Sequence, residues 1–402
     1  MKDFDEIRPY ETGEMRQAFE ELLDDRQFNA VLKGFAPWLP KFLRKGLLRL
    51  AFTGVETPLQ FQKRFMKPVV KYIIRKHTDG CTFNDEELRS KGVKESGTQH
   101  PTPNTQPRYT FLTNHRDIVL DSAQLSYLLL KGGRDACEIA IGNNLLIYDW
   151  ITKLVRMNKS FIVKRNLGRI QTLTAAVQLS GYMHFAVEQK RASLWIAQRE
   201  GRCKDSNDRT QESLIKMLAY GNRDKSFIES LKELNIAPIS ISYEYDPNDY
   251  LKAKEFLCKS KNPNWRKAPE DDLISMKTGI IGHKGEVHYA FTPCINEELD
   301  KIPEGLDKFL EVDRVCAIID HAIHQNYKIY KTNYIAHDIL SDDKQFVDKY
   351  TQEEREAFEQ YLSSQIDKTE GMKLSEADRF YMYNKMLQMY SNPLSNYIEA
   401  TK

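Results

Sequence analysis

Cysteine is sparse in this chain of 402 residues, which contains only six. No two of them have the C-x-x-C spacing that is typical of zinc cages and redox motifs, and six in so long a chain do not form the dense framework of a small secreted domain. We therefore expect no zinc site and a reducing compartment. The six residues are Cys81, Cys137, Cys203, Cys258, Cys294 and Cys316.

Long hydrophobic runs are also missing. The longest stretch without a charged residue covers residues 170–187, and it contains glutamine, threonine, serine and histidine. Such a stretch is too polar for the core of a bilayer, which a helix crosses with about 20 mainly apolar residues. The first residues lack the apolar segment of a secretory signal. The sequence therefore predicts neither a spanning helix nor a signal peptide.

A large excess of one charge is absent as well. The 59 Lys and Arg against 57 Asp and Glu give a net charge of +2, which excludes a polycation that coats nucleic acid. The balance is uneven along the chain. Residues 1–30 contain four basic and nine acidic side chains, whereas residues 31–76 contain eleven basic side chains and a single acid, Glu56. An acidic beginning is thus followed by a strongly basic segment.

The basic segment contains an amphipathic helix over residues 39–50. On a helical wheel its large apolar side chains fall within about 140°, and its cations lie outside this arc. The apolar residues are Leu39, Phe42, Leu43, Leu47 and Leu50, and the cations are Lys41, Arg44, Lys45 and Arg49. Two interpretations remain open: the helix lies on an anionic membrane surface, or it packs its apolar face on the protein body.

From residue 109 onwards, short β-type runs alternate with helical runs. This alternation is typical of a largely parallel sheet flanked by helices, with polar chemistry where strands end. We therefore expect the α/β class, with a mixed, largely parallel sheet, N-terminal amphipathic helices and a C-terminal helical extension. The β-type runs are 109–113, 137–141, 161–163, 194–197, 236–242 and 287–291, and the helical runs lie near 120–131, 148–157, 168–190, 209–220 and 247–258.

The chain divides into four parts. An acidic N-terminal segment covers residues 1–30, and a basic amphipathic helical region covers residues 31–89. The α/β domain covers residues 90–300 and begins with a linker, 90–108, that is rich in Gly, Pro, Ser and Thr. The C-terminal helical extension, residues 301–402, has surfaces rich in Glu and Lys and offers no functional signal.

Candidate catalytic residues follow the first β-type run. His115 leaves the strand, and Asp117 and Asp121 come two and six residues later. A carboxylate that holds one ring nitrogen of a histidine fixes its tautomer, and it stabilises the imidazolium that forms when the other nitrogen takes a proton. The spacing alone favours an ordinary histidine at a strand end.

Distinctive groups accompany the later β-type runs. Gly142–Leu145 closes the second run, and Lys164 and Arg165 follow the third. Glu200–Lys204 forms a turn crowded with cations after the fourth run, and Pro238 lies in the fifth. Each of these segments thus places a distinctive group at a strand end, where the polar chemistry of an α/β sheet is concentrated.

Taken in this order, four segments resemble the four motifs of the glycerol-phosphate and lysophosphatidate acyltransferase family. The resemblance covers roughly residues 109–292, and the Gly-Asn-Asn-Leu sequence is closer to the glycerol-3-phosphate branch. The similar pairs are Asn114–Asp121 with the NH-x4-D motif, Phe161–Arg165 with F-x-x-R, Glu200–Gly201 with E-G-x-R, and Ala237–Ser242 with the proline-containing fourth motif.

Two positions depart from the family pattern. Five residues separate His115 from Asp121 where the family has four, so either Asp121 or Asp117 pairs with the histidine. We expect Asp121, because the family's acid lies in the first turn of the following helix. In the third motif a cysteine, residue 203, stands where the family has an arginine, so a neighbouring cation, Arg202 or Lys204, must replace it.

The resemblance implies an enzyme that moves a fatty acyl chain from acyl-CoA or acyl carrier protein to a hydroxyl of a glycerol-phosphate-type acceptor in phospholipid synthesis. His115, oriented by its acid, would be the general base for direct attack on the thioester. Neither a metal nor a cofactor is implied, since the thioester is a co-substrate. The implied substrate-binding residues are Asn114, Lys164, Arg165, Glu200, Gly201, Arg202, Lys204 and Pro238.

Such an activity agrees with the membrane interpretation of the basic helix, because acyl chains partition into bilayers. We expect a cytoplasmic protein, peripheral on the inner face of the membrane, that meets the thioester donor, a phosphorylated acceptor, an anionic lipid surface and, with a protein-bound donor, acyl carrier protein. No nucleic acid is expected as a partner.

Two alternatives remain at this stage. The altered third motif suits an acyltransferase for another lipid acceptor, such as an acylated amino acid with a free hydroxyl. The irregular spacing between His115 and Asp121 suits a non-catalytic, membrane-peripheral lipid-binding protein that has kept the fold.

Overall fold

The computed structural model describes residues 4–35, 37–84, 107–222, 224–369 and 371–402. Of the linker expected at residues 90–108, only Pro107 and Arg108 lie within these ranges. The described residues form a central sheet flanked by helices, with further helices towards both ends of the chain. The predicted α/β class is therefore confirmed.

The sheet has seven strands in the order β1-β7-β6-β2-β5-β3-β4. Neighbouring strands are parallel except for β6 and β7, which are antiparallel. The strands β2 and β6 are buried along their whole length, as expected for a sheet covered on both faces. The strands are β1 Gly80–Asn84, β2 Thr110–Thr113, β3 Glu138–Gly142, β4 Ser160–Val163, β5 Leu194–Ala197, β6 Ile236–Tyr243 and β7 Glu286–Phe291.

Helices precede, connect and follow the strands. Among those in the described ranges, none combines the length and the apolar character that crossing a bilayer requires. In chain order they are α1 Glu14–Asp24, α2 Arg26–Phe35, α3 Lys41–Phe52, α4 Pro58–Phe61, α5 Lys67–His77, α6 Leu120–Lys131, α7 Asp149–Met157, α8 Arg169–Glu188, α9 Glu212–Leu218, α10 Phe227–Glu233, α11 Asp249–Lys261, α12 Pro269–Ile281, α13 Asn296–Leu299, α14 Lys308–His324, α15 Lys331–Ser341, α16 Gln352–Asp367 and α17 Glu376–Ala400.

The six predicted β-type runs are confirmed as β2 to β7, and the five helical runs as α6, α7, α8, α9 and α11. The strand β1 is additional. It lies within residues 31–89, which the sequence assigns to basic helices, and it pairs with β7 through the register Gly80 to Glu286. Its five residues, GCTFN, form no apolar run. The strand conformation of this segment therefore depends on pairing with β7, which is distant in the chain.

The parallel strands β2, β5, β3 and β4 are neighbours in the sheet, so their carboxyl ends lie along one edge. We call it the carboxyl edge. The residues that follow Thr113, Ala197, Gly142 and Val163 meet there. Three of the four segments that resemble the family motifs lie at this edge.

Helix α3 turns its apolar side outwards. Two of its cations point to α1 instead, where Lys45 pairs with Asp24 at 2.7 Å and Arg49 pairs with Glu20 at 2.6 Å. The interpretation in which this helix packs its predicted apolar face on the body is therefore wrong. The exposed fractions are 71% for Phe42, 43% for Leu43, 56% for Leu47 and 69% for Leu50.

The C-terminal helices pack on α11 around a buried carboxylate, Asp249. Its oxygens accept hydrogen bonds from the hydroxyls of Tyr361 and Tyr390, both at 2.9 Å, and from the amide of Gln365 at 2.7 Å. Burial, together with the nearby charge of Asp246, raises the pKa of Asp249 to about 7. The helices α16 and α17 are thus attached to the α/β body through an acid that is neutral below this pH.

The pKa of Asp249 predicts how stability depends on pH. In the unfolded chain this carboxyl ionises near its ordinary value of 3.8, whereas in the folded protein it stays protonated to about pH 7. The unfolded state therefore loses its proton first, and the free energy of unfolding falls as the pH rises from about 4 to 7. Asp249→Asn removes this contribution. Denaturant unfolding at several pH values should therefore show that the free energy of unfolding falls less with rising pH in the variant than in the parent. Parallel curves for parent and variant over this range would contradict the assignment.

Candidate active site

His115 lies directly beyond β2, and its ring is paired with Asp121 at the start of α6. The distance from Nδ1 to Oδ2 is 2.8 Å. Asp121 is fully buried, whereas the side chain of His115 keeps 12% of its surface exposed. A carboxylate at Nδ1 favours the tautomer with the proton on that nitrogen, which leaves Nε2 free to accept a proton. The additional residue between the two does not prevent the pairing.

Three further donors hold the carboxylate of Asp121. Its Oδ2 accepts the backbone N–H groups of Arg116 at 2.7 Å and Asp117 at 3.0 Å, and its Oδ1 accepts the hydroxyl of Tyr243 at 3.1 Å. Its place in the first turn of α6 also suits a negative charge. The acid is therefore fixed in orientation before any ligand binds.

Asp117 does not take this role, and the alternative pairing with His115 is wrong. Its Oδ1 accepts the backbone N–H groups of Val119 at 2.9 Å and Leu120 at 2.8 Å, which closes the turn into α6. Its Oδ2 is buried, and no described residue offers it a hydrogen bond. Burial and the charge of Asp121 raise the pKa of Asp117. This residue shapes the loop and does not orient the ring of His115.

The indole of Trp195 limits the position of the imidazole from another side. The ring centroids of His115 and Trp195 are 5.8 Å apart in an edge-to-face arrangement. The indole N–H donates to the hydroxyl of Thr113 at 3.2 Å, and Trp195 is buried in β5. The ring of His115 therefore has a polar partner on α6 and an aromatic partner on β5.

Behind the histidine, Asp208 holds the loop of residues 114–116 to the segment that follows α14. Its Oδ2 pairs with Arg116 at 2.7 Å and accepts the hydroxyl of Tyr327. Its backbone oxygen lies 2.8 Å from Nε2 of His324. Asp208 and Arg116 are both buried, and a buried ion pair of this kind fixes geometry because either partner alone would be costly.

Asn114 and Pro238, two predicted substrate-binding residues, lie in the frame of the sheet. The amide of Asn114 donates to the backbone oxygen of Ile241 at 2.9 Å and accepts its N–H at 2.7 Å, so it prolongs the pairing of β2 with β6. Pro238 lies opposite Leu112 in the buried strand β6. Both residues support the site from within the sheet.

Arg165 and Glu200 come together on the open side of the carboxyl edge. The guanidinium of Arg165 lies 3.4 Å from the carboxylate of Glu200, and its backbone N–H donates to the side chain of Asn143 at 2.9 Å. The side chain of Glu200 is 62% exposed and that of Arg165 is 27% exposed. The ends of β4, β3 and β5 thus present a cation and an acid to a ligand.

The other predicted cations differ in what they contact. Lys164 pairs with Glu6 of the N-terminal segment, and Lys204 pairs with Glu255 of α11. Arg202 makes no ion pair with a described residue, and its Nη1 is buried without a hydrogen-bond partner among them. Of the two cations that could replace the family arginine, Arg202 is therefore the one without an ion pair to a described residue, and its charge lowers the pKa of the buried Asp117 carboxyl against the effect of burial.

The turn after β5 contains Gly201 and Cys203. Gly201 has a φ of +68°, which glycine adopts freely, and a Cβ atom there would meet nothing within 4 Å. Cys203 is buried, its thiol donates to Asp205 at 3.2 Å, and its backbone N–H donates to the carbonyl of His115 at 3.2 Å. Burial raises the pKa of the Cys203 thiol, so it is a poor nucleophile.

Sequence reasoning gave no role to Trp195, Asp208, Tyr243 or Lys252. Lys252 pairs with Asp246 and also donates to the backbone oxygen of Arg116 at 3.3 Å. The sequence marks Trp195 and Tyr243 as strand residues, but nothing in it marks Asp208 or Lys252. Their contacts to the loop of His115 join residues more than 90 positions apart in the chain, so no local spacing relates them to the histidine.

Elsewhere in the described chain, one histidine and two aspartates lie close enough to hold a metal ion. The ligand atoms of His337, Asp338 and Asp343 lie within 4.8 Å of one another. Asp338 accepts the backbone N–H of Phe346 and, at 2.9 Å, the hydroxyl of Tyr350. These carboxylate contacts stabilise the loop after α15, which accounts for the cluster without an ion.

Gly279 of α12 provides a test of how tightly the loop of Asp117 is packed. A Cβ atom at this position would lie 1.8 Å from Oδ2 of Asp117, whereas one at Gly46 of α3 would meet nothing within 4 Å. We expect Gly279→Ala to lower the free energy of unfolding by about 1–3 kcal/mol because of the clash. The matched Gly46→Ala should leave it unchanged or raise it by up to about 1 kcal/mol, since alanine favours helices. Equal stabilities for both variants in denaturant unfolding would contradict this packing.

No protein-family model matches the chain, and a search of curated proteins finds no match either. The resemblance to the acyltransferase family therefore rests on the four segments of the chain itself. Their functional interpretation is a proposal that depends on the geometry of His115, Asp121 and the cations at the carboxyl edge.

Proposed function

We propose that the protein is an acyltransferase that moves a fatty acyl chain from an acyl thioester to a hydroxyl of a glycerol-phosphate-type acceptor. The observation that carries the proposal is the pair of His115 and Asp121, with its acid buried and its ring reaching the surface. The donor is acyl-CoA or acyl carrier protein, and the enzyme acts by His/Asp general-base catalysis. No metal or cofactor takes part in the proposed reaction.

In this reaction Nε2 of His115 removes the proton from the acceptor hydroxyl as the oxygen attacks the carbonyl carbon of the thioester. The tetrahedral intermediate then loses the thiolate as the carbon–sulfur bond breaks, and the imidazolium returns the proton to the sulfur. The products are an ester and a free thiol. Asp121 stabilises the imidazolium through Nδ1, as the acid does in catalytic triads.

The acceptor phosphate would bind at the cations of the carboxyl edge. Among the described residues, the guanidinium of the partly exposed Arg165 has polar contacts with the exposed carboxylate of Glu200 and the side chain of Asn144. Arg202 has a nitrogen without a described hydrogen-bond partner. Arginine binds phosphate through two parallel hydrogen bonds. Lys164 and Lys204 already have acidic partners, so in this proposal they contribute less.

Membrane association is part of the proposal. The outward apolar face of α3 would enter the interface of an anionic membrane, and the protein would lie on the cytoplasmic, inner face of that membrane. A helix of this kind adsorbs reversibly through apolar burial and cationic attraction. Such a position would let acyl chains pass between the bilayer and the carboxyl edge.

One observation favours a second acceptor class. Cys203 stands at the position of the family arginine and is buried, and the neighbouring Lys204 is occupied by Glu255. The third motif therefore offers fewer cations than the family pattern, which suits an acceptor without a phosphate, such as an acylated amino acid with a free hydroxyl.

The general-base assignment is tested by His115→Ala, with His321→Ala as the matched control because His321 is exposed on α14. With acyl-CoA and glycerol-3-phosphate or lysophosphatidate, we expect His115→Ala to lower kcat by about 100-fold or more, since general-base catalysis contributes that much. The control should keep the parent's rate. A folded His115→Ala protein that is as fast as the parent would contradict the assignment of His115 as the general base.

The acceptor is tested with Arg202→Gln in a panel of acceptors, beside Arg202→Lys. For a phosphate acceptor we expect the glutamine variant to raise KM at least tenfold, and the lysine variant to recover part of the loss because it keeps the charge. Thiol release from acyl-CoA provides the readout. Activity on a phosphate-free acceptor alone, with no effect of Arg202→Gln, would instead support the second acceptor class.

A further inference from the structure

Helix α5 presents an apolar and cationic face to solvent. Val69 and Tyr72, one turn apart, are 50% and 59% exposed, while Val70 on the other side is buried. Lys71 and Arg75 are exposed beside them. Neither cation makes an ion pair with a described residue, and the ammonium of Lys76 lies 5.6 Å from the ring centroid of Tyr72. The face therefore combines apolar surface with free positive charge.

Helix α12 contacts α5 and has an exposed apolar stripe of its own. Ile274 and Ile281 are 50% and 53% exposed, and the exposed Lys277 lies between them on the same side of the helix. Residues this far apart, three and then four along a helix, share one stripe. We call the exposed residues Val69, Tyr72, Ile274 and Ile281 of these two contacting helices the α5–α12 face.

The charges along α5 are positive, whereas α12 has an exposed acid, Glu270, one turn before Ile274. No acid lies between Glu56 and Asp79, and this interval contains six Lys and Arg. The acids of α12 lie in its first turn, and one of them, Asp272, pairs with Lys267. A surface of exposed apolar side chains with unpaired cations is complementary to anionic lipid headgroups above an apolar interior.

The α5–α12 face also lies next to the candidate active site. Helix α12 packs against the loop of the base through Gly279, whose Cα approaches the buried oxygen of Asp117 so closely that a Cβ would clash. Asp117 is two residues from His115, and its backbone N–H donates to Asp121. The face is thus separated from the His115 loop by the thickness of one helix.

We propose that the α5–α12 face is a second docking surface for an anionic lipid bilayer, in addition to the apolar face of α3. This inference rests on the membrane association in the proposed function and specifies its geometry. The helix that touches the His115 loop then contacts the lipid surface directly. In this arrangement the bilayer contacts α12, which packs on the His115 loop, and not only the N-terminal helices.

The test is cosedimentation of the full chain with vesicles of phosphatidylcholine, with and without phosphatidylserine. Val69→Glu with Tyr72→Glu should lower partitioning onto the anionic vesicles at least tenfold. Val69→Ser with Tyr72→Ser, which adds no charge, should lower it at least threefold. Val347→Glu with Phe380→Glu is the matched control, because these side chains are 53% and 69% exposed elsewhere. This control should bind like the parent, and circular dichroism and thermal unfolding check that each variant folds.

A separate pair, Phe42→Glu with Leu50→Glu, distinguishes this inference from the proposed function. If the α3 variant loses binding but both α5 variants bind like the parent, the α5–α12 face is not a lipid surface, although membrane association stands. If the parent itself binds no vesicles, membrane association fails altogether. A parent that is dimeric in light scattering, with α5 variants that are monomeric and bind vesicles normally, would assign the face to a second copy of the chain and overturn the inference.

Discussion

The candidate active site depends on the buried carboxylate of Asp121. It accepts hydrogen bonds from the imidazole of His115, from two backbone N–H groups of the following loop and from the hydroxyl of Tyr243, at 2.7–3.1 Å. These donors belong to the loop after β2 and to the end of β6, and the acid itself begins α6. One group therefore fixes a loop, a helix and a strand relative to each other, and with them the imidazole.

A second layer of buried polar contacts keeps this loop in place from behind. Asp208 binds Arg116 and Tyr327, and Lys252 binds Asp246 and the carbonyl of Arg116. Tyr327 follows α14, so the C-terminal part of the chain takes part in shaping the loop, although its sequence offers no functional signal. Such contacts are costly to break, because an unpaired buried charge remains.

Local patterns predicted the strands of the carboxyl edge and a histidine followed by two candidate acids, because strand ends and these spacings are visible in the sequence. The choice of Asp121 over Asp117 came from the family resemblance. They did not predict which cations stay available. Lys164 meets Glu6 and Lys204 meets Glu255, contacts that only the folded chain creates. The helical wheel of α3 likewise predicted an apolar side but not whether that side faces the protein or the solvent. Its orientation depends on the ion pairs with α1. The extra strand β1 depends on β7 in the same way.

The central claim is that Asp121 holds His115 with the proton on Nδ1 and leaves Nε2 free as the base. Long-range ¹H–¹⁵N NMR of the histidine rings, at a pH where imidazole is neutral, tests it most directly. The signals of His115 are those lost in His115→Gln. We expect the Nδ1–H tautomer in the parent and a mixture of tautomers in Asp121→Ala. An Nε2–H tautomer in the parent, or an unchanged spectrum in Asp121→Ala, would contradict the account.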